Sequence, residues 1–269
     1  MKLPYLKSLR ILTIILVIFL TVASVAGAFF PGTYDRDSAS MAAQGTGQDL
    51  VDLFIVVPVL IASFIFAARG NRVAVLLYAG TLFYITYSFI IYCFGVHFNR
   101  LFLVYCITLG VALYSFILVM SGLQQLKVAE WFDRAPVRWV SVYIVLVALV
   151  FYFMWLRTVI PAIIGDTVPA EVSDYNLPVN PVHVIDLVFA LPGLILGSVL
   201  LWQKRGMGYI IASVAMVFMV LLTLALGAMV IELVIRGISE DFSVAIVFGV
   251  LSLASLSVVC LLFRKVKRV

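Results

Sequence analysis

Two acids stand in a chain that otherwise gives charge little place. Asp52 opens the run Asp-Leu-Phe-Ile-Val-Val-Pro58, and Asp186 opens the run Asp-Leu-Val-Phe-Ala-Leu-Pro192. In each, a proline follows six residues after the acid. A carboxylate beside apolar sequence can hold a cation or exchange a proton. A proline removes one rung of the helical ladder, which frees a carbonyl and permits a kink at Pro58 and Pro192. The plainer reading is structural: an aspartate in the first turn of a helix stabilises it by about 0.3–1 kcal/mol, and membrane helices tolerate proline.

Other polar groups fall at matching places. His97 and Arg100 share one short turn with Asn99, Arg157 closes an apolar run, and His183 precedes Asp186 by one helical turn. Glu232 and Arg236 have the i, i+4 spacing that lets opposite charges meet on one helix face. Brought together with Asp52 and Asp186, the six residues His97, Arg100, Arg157, His183, Glu232 and Arg236 would form an outer vestibule carrying both signs of charge. Two histidines among such acids could also suggest a metal, but no pair has diagnostic ligand spacing. Thr81, Tyr84, Ser88 and Tyr92 lie on one helical face, as do Tyr105, Thr108 and Ser115. Stripes of this kind mark helix contact or line a narrow path, and contact is the better reading. Gly193 and Gly197 form a small-xxx-small pattern that permits close helix approach.

The elements that must position these groups follow from composition. Of 269 residues, 65% are hydrophobic and 12% charged, against about 25% charged in a soluble domain. The mean hydropathy of +1.21 and the repeated runs of 18 or more apolar residues predict membrane helices. We place eight spans, over 9–30, 51–68, 73–95, 101–121, 139–160, 183–202, 207–235 and 242–263, giving an all-α polytopic bundle. The first has a rival reading. Lys2, Lys7 and Arg10 before an apolar stretch ending Ala-Ser-Val-Ala-Gly-Ala28 also suit a cleaved signal, which would leave seven spans; the long apolar core favours retention.

The net charge of +5 does not point to nucleic acid, because the basic residues are scattered at helix ends. With the N-terminus inside, fourteen basic residues lie at cytoplasmic ends and only Arg36, Arg100, Arg157 and Arg236 at outer ends, fourteen plus four making the total of 18. That bias places both termini in the cytoplasm and the acids' end of each span outside. The outer polar intervals are 31–50 and 161–182, and Pro161 is expected to end the fifth span. The cytoplasmic stretch 124–134 reads equally as an interfacial helix or a plain linker. Cys93, Cys106 and Cys260 read as small core residues.

The landmarks recur in one order. Residues 1–123 and 139–269 each hold four spans, with 124–138 as a cytoplasmic linker, and the halves read as parallel repeats about an axis along the membrane normal. No Walker loop, dinucleotide fingerprint, zinc-protease motif or nucleophile elbow occurs, so no catalytic residue, cofactor or metal is assigned. The phrases Gly47-Gln-Asp-Leu-Val-Asp-Leu53, Asn99-Arg-Leu-Phe-Leu-Val-Tyr105 and Asn180-Pro-Val-His-Val-Ile-Asp-Leu187 resemble a group of uncharacterised bacterial multi-pass membrane proteins. That resemblance implies a prokaryotic cell membrane and carries no residue roles.

The first functional reading is handling of a small solute or ion through the outer vestibule. One alternative is an intramembrane enzyme acting on a lipid or lipid-linked substrate at the outer leaflet, with Asp186 or Glu232 working beside His183. Another is a non-catalytic sensor or assembly scaffold. The balance leans away from an enzyme. The partners expected are the bilayer and a small solute, ion or lipid; nothing in the sequence calls for an oligomer.

Overall fold

The computed structural model describes residues 4–267, and eight helices in it are long and apolar enough to cross a membrane. They are α1 (Leu6–Phe29), α2 (Ala39–Ala68), α3 (Arg72–Gly95), α4 (Phe102–Gln124), α5 (Val137–Ile164), α6 (Pro181–Trp202), α7 (Gly206–Ile235) and α8 (Ser243–Phe263). The shortest, at 21 residues, rises about 31 Å, enough for a hydrocarbon core of about 30 Å. Large apolar side chains such as Phe153, Val188, Leu253 and Phe54 are exposed all around the bundle. Water would not tolerate that surface and lipid would. This is a multi-pass, all-α membrane protein.

α3 and α7 form the centre. α3 packs against α2, α4 and α7, and touches the first turn of α6; α7 packs against α2, α3, α6 and α8. α1 lies over α2 and α4, and α5 lies over α6. Glycines allow two of the tightest crossings. A Cβ on Gly47 of α2 would fall 2.6 Å from the Ala228 carbonyl oxygen of α7, and one on Gly197 of α6 would fall 2.4 Å from Ile211 of α7. The small-residue pattern on α6 is therefore used at Gly197. Gly193 has nothing within 4 Å.

The turns sort onto two faces. On one, the Asp133 N–H donates to the Lys265 carbonyl at 2.8 Å, the Lys267 N–H donates to Trp131 at 2.7 Å, and the Arg72 guanidinium donates to the Lys267 carbonyl at 3.2 Å. On the other, Arg36 donates to the Phe98 carbonyl at 2.7 Å and Gln44 to the Tyr175 hydroxyl at 3.1 Å. The stretch 124–134 is neither a helix on the surface nor a plain linker. It makes a single 3₁₀ turn, Val128–Trp131, whose Val128, Trp131 and neighbouring Phe132 are buried in the bundle. Phe132 stacks on Tyr209 at 4.8 Å.

Two expected boundaries move. α2 begins at Ala39, not 51, with Ser38 accepting from the Met41 N–H as its cap. Ala43, Thr46, Gly47, Gln48 and Asp49 are all buried, so the polar look of this stretch reflects protein neighbours rather than a loop. α5 continues through Pro161 to Ile164. Proline costs it the bond to residue 157, but the Gly165 N–H donates to the Pro161 carbonyl at 2.8 Å and the helix closes normally. One lost bond in the penultimate turn did not suffice to end it.

The two aspartate–proline phrases adopt the same local conformation. Asp52–Val56 and Asp186–Ala190 are π-helical, with the Val57 N–H donating to the Asp52 carbonyl and the Leu191 N–H to the Asp186 carbonyl. Proline two residues on has no N–H, and its ring crowds the carbonyl four residues back, so a wider turn before it relieves the clash. The widened turn faces Phe54, Val188 and Phe189 to lipid and turns both aspartates inward.

Candidate functional site

Three carboxyl groups are buried around α3, and its tyrosines hold all of them. The Tyr84 hydroxyl donates to Asp52 Oδ1 at 2.9 Å, and Tyr92 donates to Asp49 Oδ1 at 3.0 Å. On another flank of α3, Tyr87 donates to Asp186 Oδ1 at 2.9 Å. Outside donors complete two of the three. Tyr34, from the turn after α1, donates to Asp49 Oδ2. Trp155 Nε1 of α5 donates to Asp186 Oδ2 at 2.7 Å. Burial, and then the Asp49 carboxylate beside it, push the Tyr34 hydroxyl well above its ordinary range, so it stays a donor.

Every one of these donors is neutral. Among the described residues the ion pairs are Lys127–Glu130 and Arg236–Glu232, with His97 hydrogen-bonded to Asp37, and none of these reaches Asp49, Asp52 or Asp186. A carboxylate out of water needs its charge compensated, and hydroxyl bonds supply only part of that. A proton or a cation supplies the rest. Such an arrangement inside a membrane bundle is expensive for packing alone.

Depth separates the two acids first noticed. Asp52 lies thirteen residues into α2, about 20 Å of rise, so it is not a first-turn acid and the helix-dipole account does not apply to it. Its partner Tyr84 is eleven residues before the end of α3. Asp186 is five residues past Pro181, about 7 Å into α6, closer to the expected position near the helix start.

The remaining candidates do not join one vestibule. His97 Nδ1 and its backbone N–H both meet Asp37 Oδ1, at 2.8 and 2.9 Å, which ties the turn after α1 to the turn after α3. Arg100 is exposed and lines a depression of about 760 Å³ with Asp35, Arg36 and Asn99. Glu232 pairs with Arg236 at 3.3 Å, and Arg236 donates to Thr46 Oγ1 at 2.7 Å, fastening the end of α7 to α2. Arg157 is exposed on α5. His183 is buried with its ring centroid 4.7 Å from that of Trp155, the residue that holds Asp186. The His183 ring contacts Asn180 at 3.5 Å, whereas Asp186 is held by Tyr87 and Trp155.

Asp49, Tyr34, Tyr87 and Trp155 were not among the candidates. Asp49 stands at i, i+3 from Asp52, and the signal for it is the extension of α2 back to Ala39, which puts both acids on one helix. α1 leaves room for it at Gly27, where a Cβ would stand 1.7 Å from Asp49 Oδ2 and 2.6 Å from the Tyr34 hydroxyl oxygen. Gly27→Ala should therefore break the Tyr34–Asp49 bond and lower thermal stability in detergent by about 1–3 kcal/mol. Tyr34→Phe in the same background should then cost little more, and independent, additive losses would show that the two changes do not share this contact. No family model, curated protein or solved structure matches the chain.

Proposed function

We propose that this protein handles a small ion across a prokaryotic cell membrane, with both termini cytoplasmic and Asp52 and Asp186 as its principal carboxyl groups. The observation that carries this reading is the set of buried carboxyls held only by neutral donors around the central helix. The fourteen-to-four distribution of basic residues supports the orientation. The matching π turns at Asp52 and Asp186 support a duplication of two four-span halves. Discontinuities in paired helices, at corresponding places in two halves, are where transporters bind their ions.

The test uses purified protein in liposomes, with a trapped pH dye for protons and radioactive sodium for cations. Wild-type protein should dissipate at least one imposed gradient. Asp52→Asn together with Asp186→Asn should lower that rate by about tenfold or more while leaving a single monodisperse peak on size exclusion. Equal rates in wild type and double variant would overturn the proposal.

A further inference from the structure

The two π-turn aspartates differ at one oxygen. Asp186 accepts at both oxygens; Asp52 accepts from Tyr84 at Oδ1 with the Gln48 side chain close beside it, and its Oδ2 is buried with no partner at hydrogen-bond distance. Ser24 Oγ on α1 is likewise buried without a partner. These two atoms belong to facing turns. Gly27 and Asp49 touch where α1 crosses α2, and the two helices run antiparallel. Three residues back from Gly27 is Ser24, and three residues on from Asp49 is Asp52, each one turn deeper on the contacting face. α1 also packs against the π turn that starts at Asp52.

We infer that α1 and the π turn of α2 form a binding site for a small monovalent cation, sodium, with Asp52 Oδ2 and Ser24 Oγ as its ligands. Carboxylate and hydroxyl oxygens suit a hard cation. The ladder around Pro58 also leaves a backbone carbonyl without its usual donor, the kind of oxygen that completes such sites at interrupted membrane helices. A single uncommitted carboxylate oxygen matches one positive charge. A divalent ion would keep excess charge in a medium that penalises it. Asp49, one turn toward the surface, accepts from both Tyr34 and Tyr92 and remains a neighbour rather than a ligand.

This inference rests on the reading of Asp52 as an ion-handling group, and its test is binding rather than flux. Thermal unfolding of the detergent-solubilised protein is followed in sodium, potassium, magnesium or choline chloride at equal ionic strength. Sodium at about ten times its dissociation constant should raise the midpoint by about 3–6 °C over choline. Ser24→Ala should shift the sodium dependence to higher concentration by about tenfold, Asp52→Asn should remove it, and Glu130→Gln, at an exposed acid away from the site, should retain it. Ser24→Ala removes one small hydroxyl and keeps the test sound if Asp52→Asn fails to fold. Equal midpoints in sodium and choline, a shift produced by magnesium instead, or a sodium shift untouched in Ser24→Ala would each overturn the site. Sodium binding without flux in liposomes would count against the transport reading alone, and proton flux without sodium binding against this site alone.

Discussion

Gly208→Ala should leave little folded protein. Gly208 lies in the first turn of α7, and a Cβ there would stand 2.2 Å from the Leu201 amide nitrogen and 2.3 Å from the Leu200 carbonyl carbon. Those are backbone atoms of the last turn of α6, which cannot rotate aside as a side chain would. α6 must move away from α7, and α7 is the helix against which α2, α3, α6 and α8 all pack. Overpacking of a rigid contact costs about 3 kcal/mol or more, a large share of the net stability of a typical domain. The measurement is the monodisperse fraction after detergent extraction, with the unfolding midpoint of whatever survives. Gly193→Ala, where nothing lies within 4 Å, should behave like wild type. A Gly208→Ala protein with an unchanged midpoint would show that α6 and α7 do not cross so closely.

Deletion of one residue should have opposite consequences at two places in α2. Removing Leu60, in the α-helical part, rotates everything on one side of the cut by about 100° relative to the other. Leu60 is fully buried, as are Val56 and Ala67 on the same face, so the deletion should abolish folding. Removing Phe54 from the π turn changes an i+5 ring into an i+4 ring, and the flanking turns keep the faces they already present. Combined with Pro58→Ala, which removes the ring that would clash in an α register, this variant should reach at least about half the wild-type yield of folded protein. Both proteins are compared by size exclusion and by circular dichroism on heating. Equal failure of the two deletions would mean that the wide turn is not a separable insertion.

How much of this was visible in the sequence depends on what each signal reports. Eight spans were legible because long apolar runs meet lipid, and lipid imposes one rule on every residue it touches. The start of α2 was not, because Gln44 meets Tyr175, Thr46 meets α1 and Arg236, and Asp49 meets α1 and α3 rather than lipid, and polar residues facing protein look like a loop. The stripe through Tyr84 and Tyr92 was visible as a face of hydroxyls, and both prove to bond acids on α2. Tyr87 lies off that stripe because it serves α6 on another flank. Small residues at Ala23, Ser24 and Gly27 also suit a cleavage signal, though the long apolar core favours retention; in the fold Gly27 lets α1 approach Asp49. The scattering of His97, Arg100, Arg157 and Glu232 could not be foreseen, since it depends on which turns pair across the bundle.

The position of α3 has a consequence for how the molecule is made. It is the most buried span, and one of its principal neighbours, α7, begins at Gly206, 111 residues after α3 ends at Gly95. At about 5–20 residues per second, some ten seconds pass before α7 emerges from the ribosome. Until α6 follows, Tyr87 lacks Asp186, and until α7 follows the inner face of α3 lacks its cover, with α2 and α4 as its first company in the membrane. The first four spans are then not a finished unit on their own. A ribosome stalled before Gly206 should leave α3 open to protease or thiol labelling, and synthesis of α7 should close it.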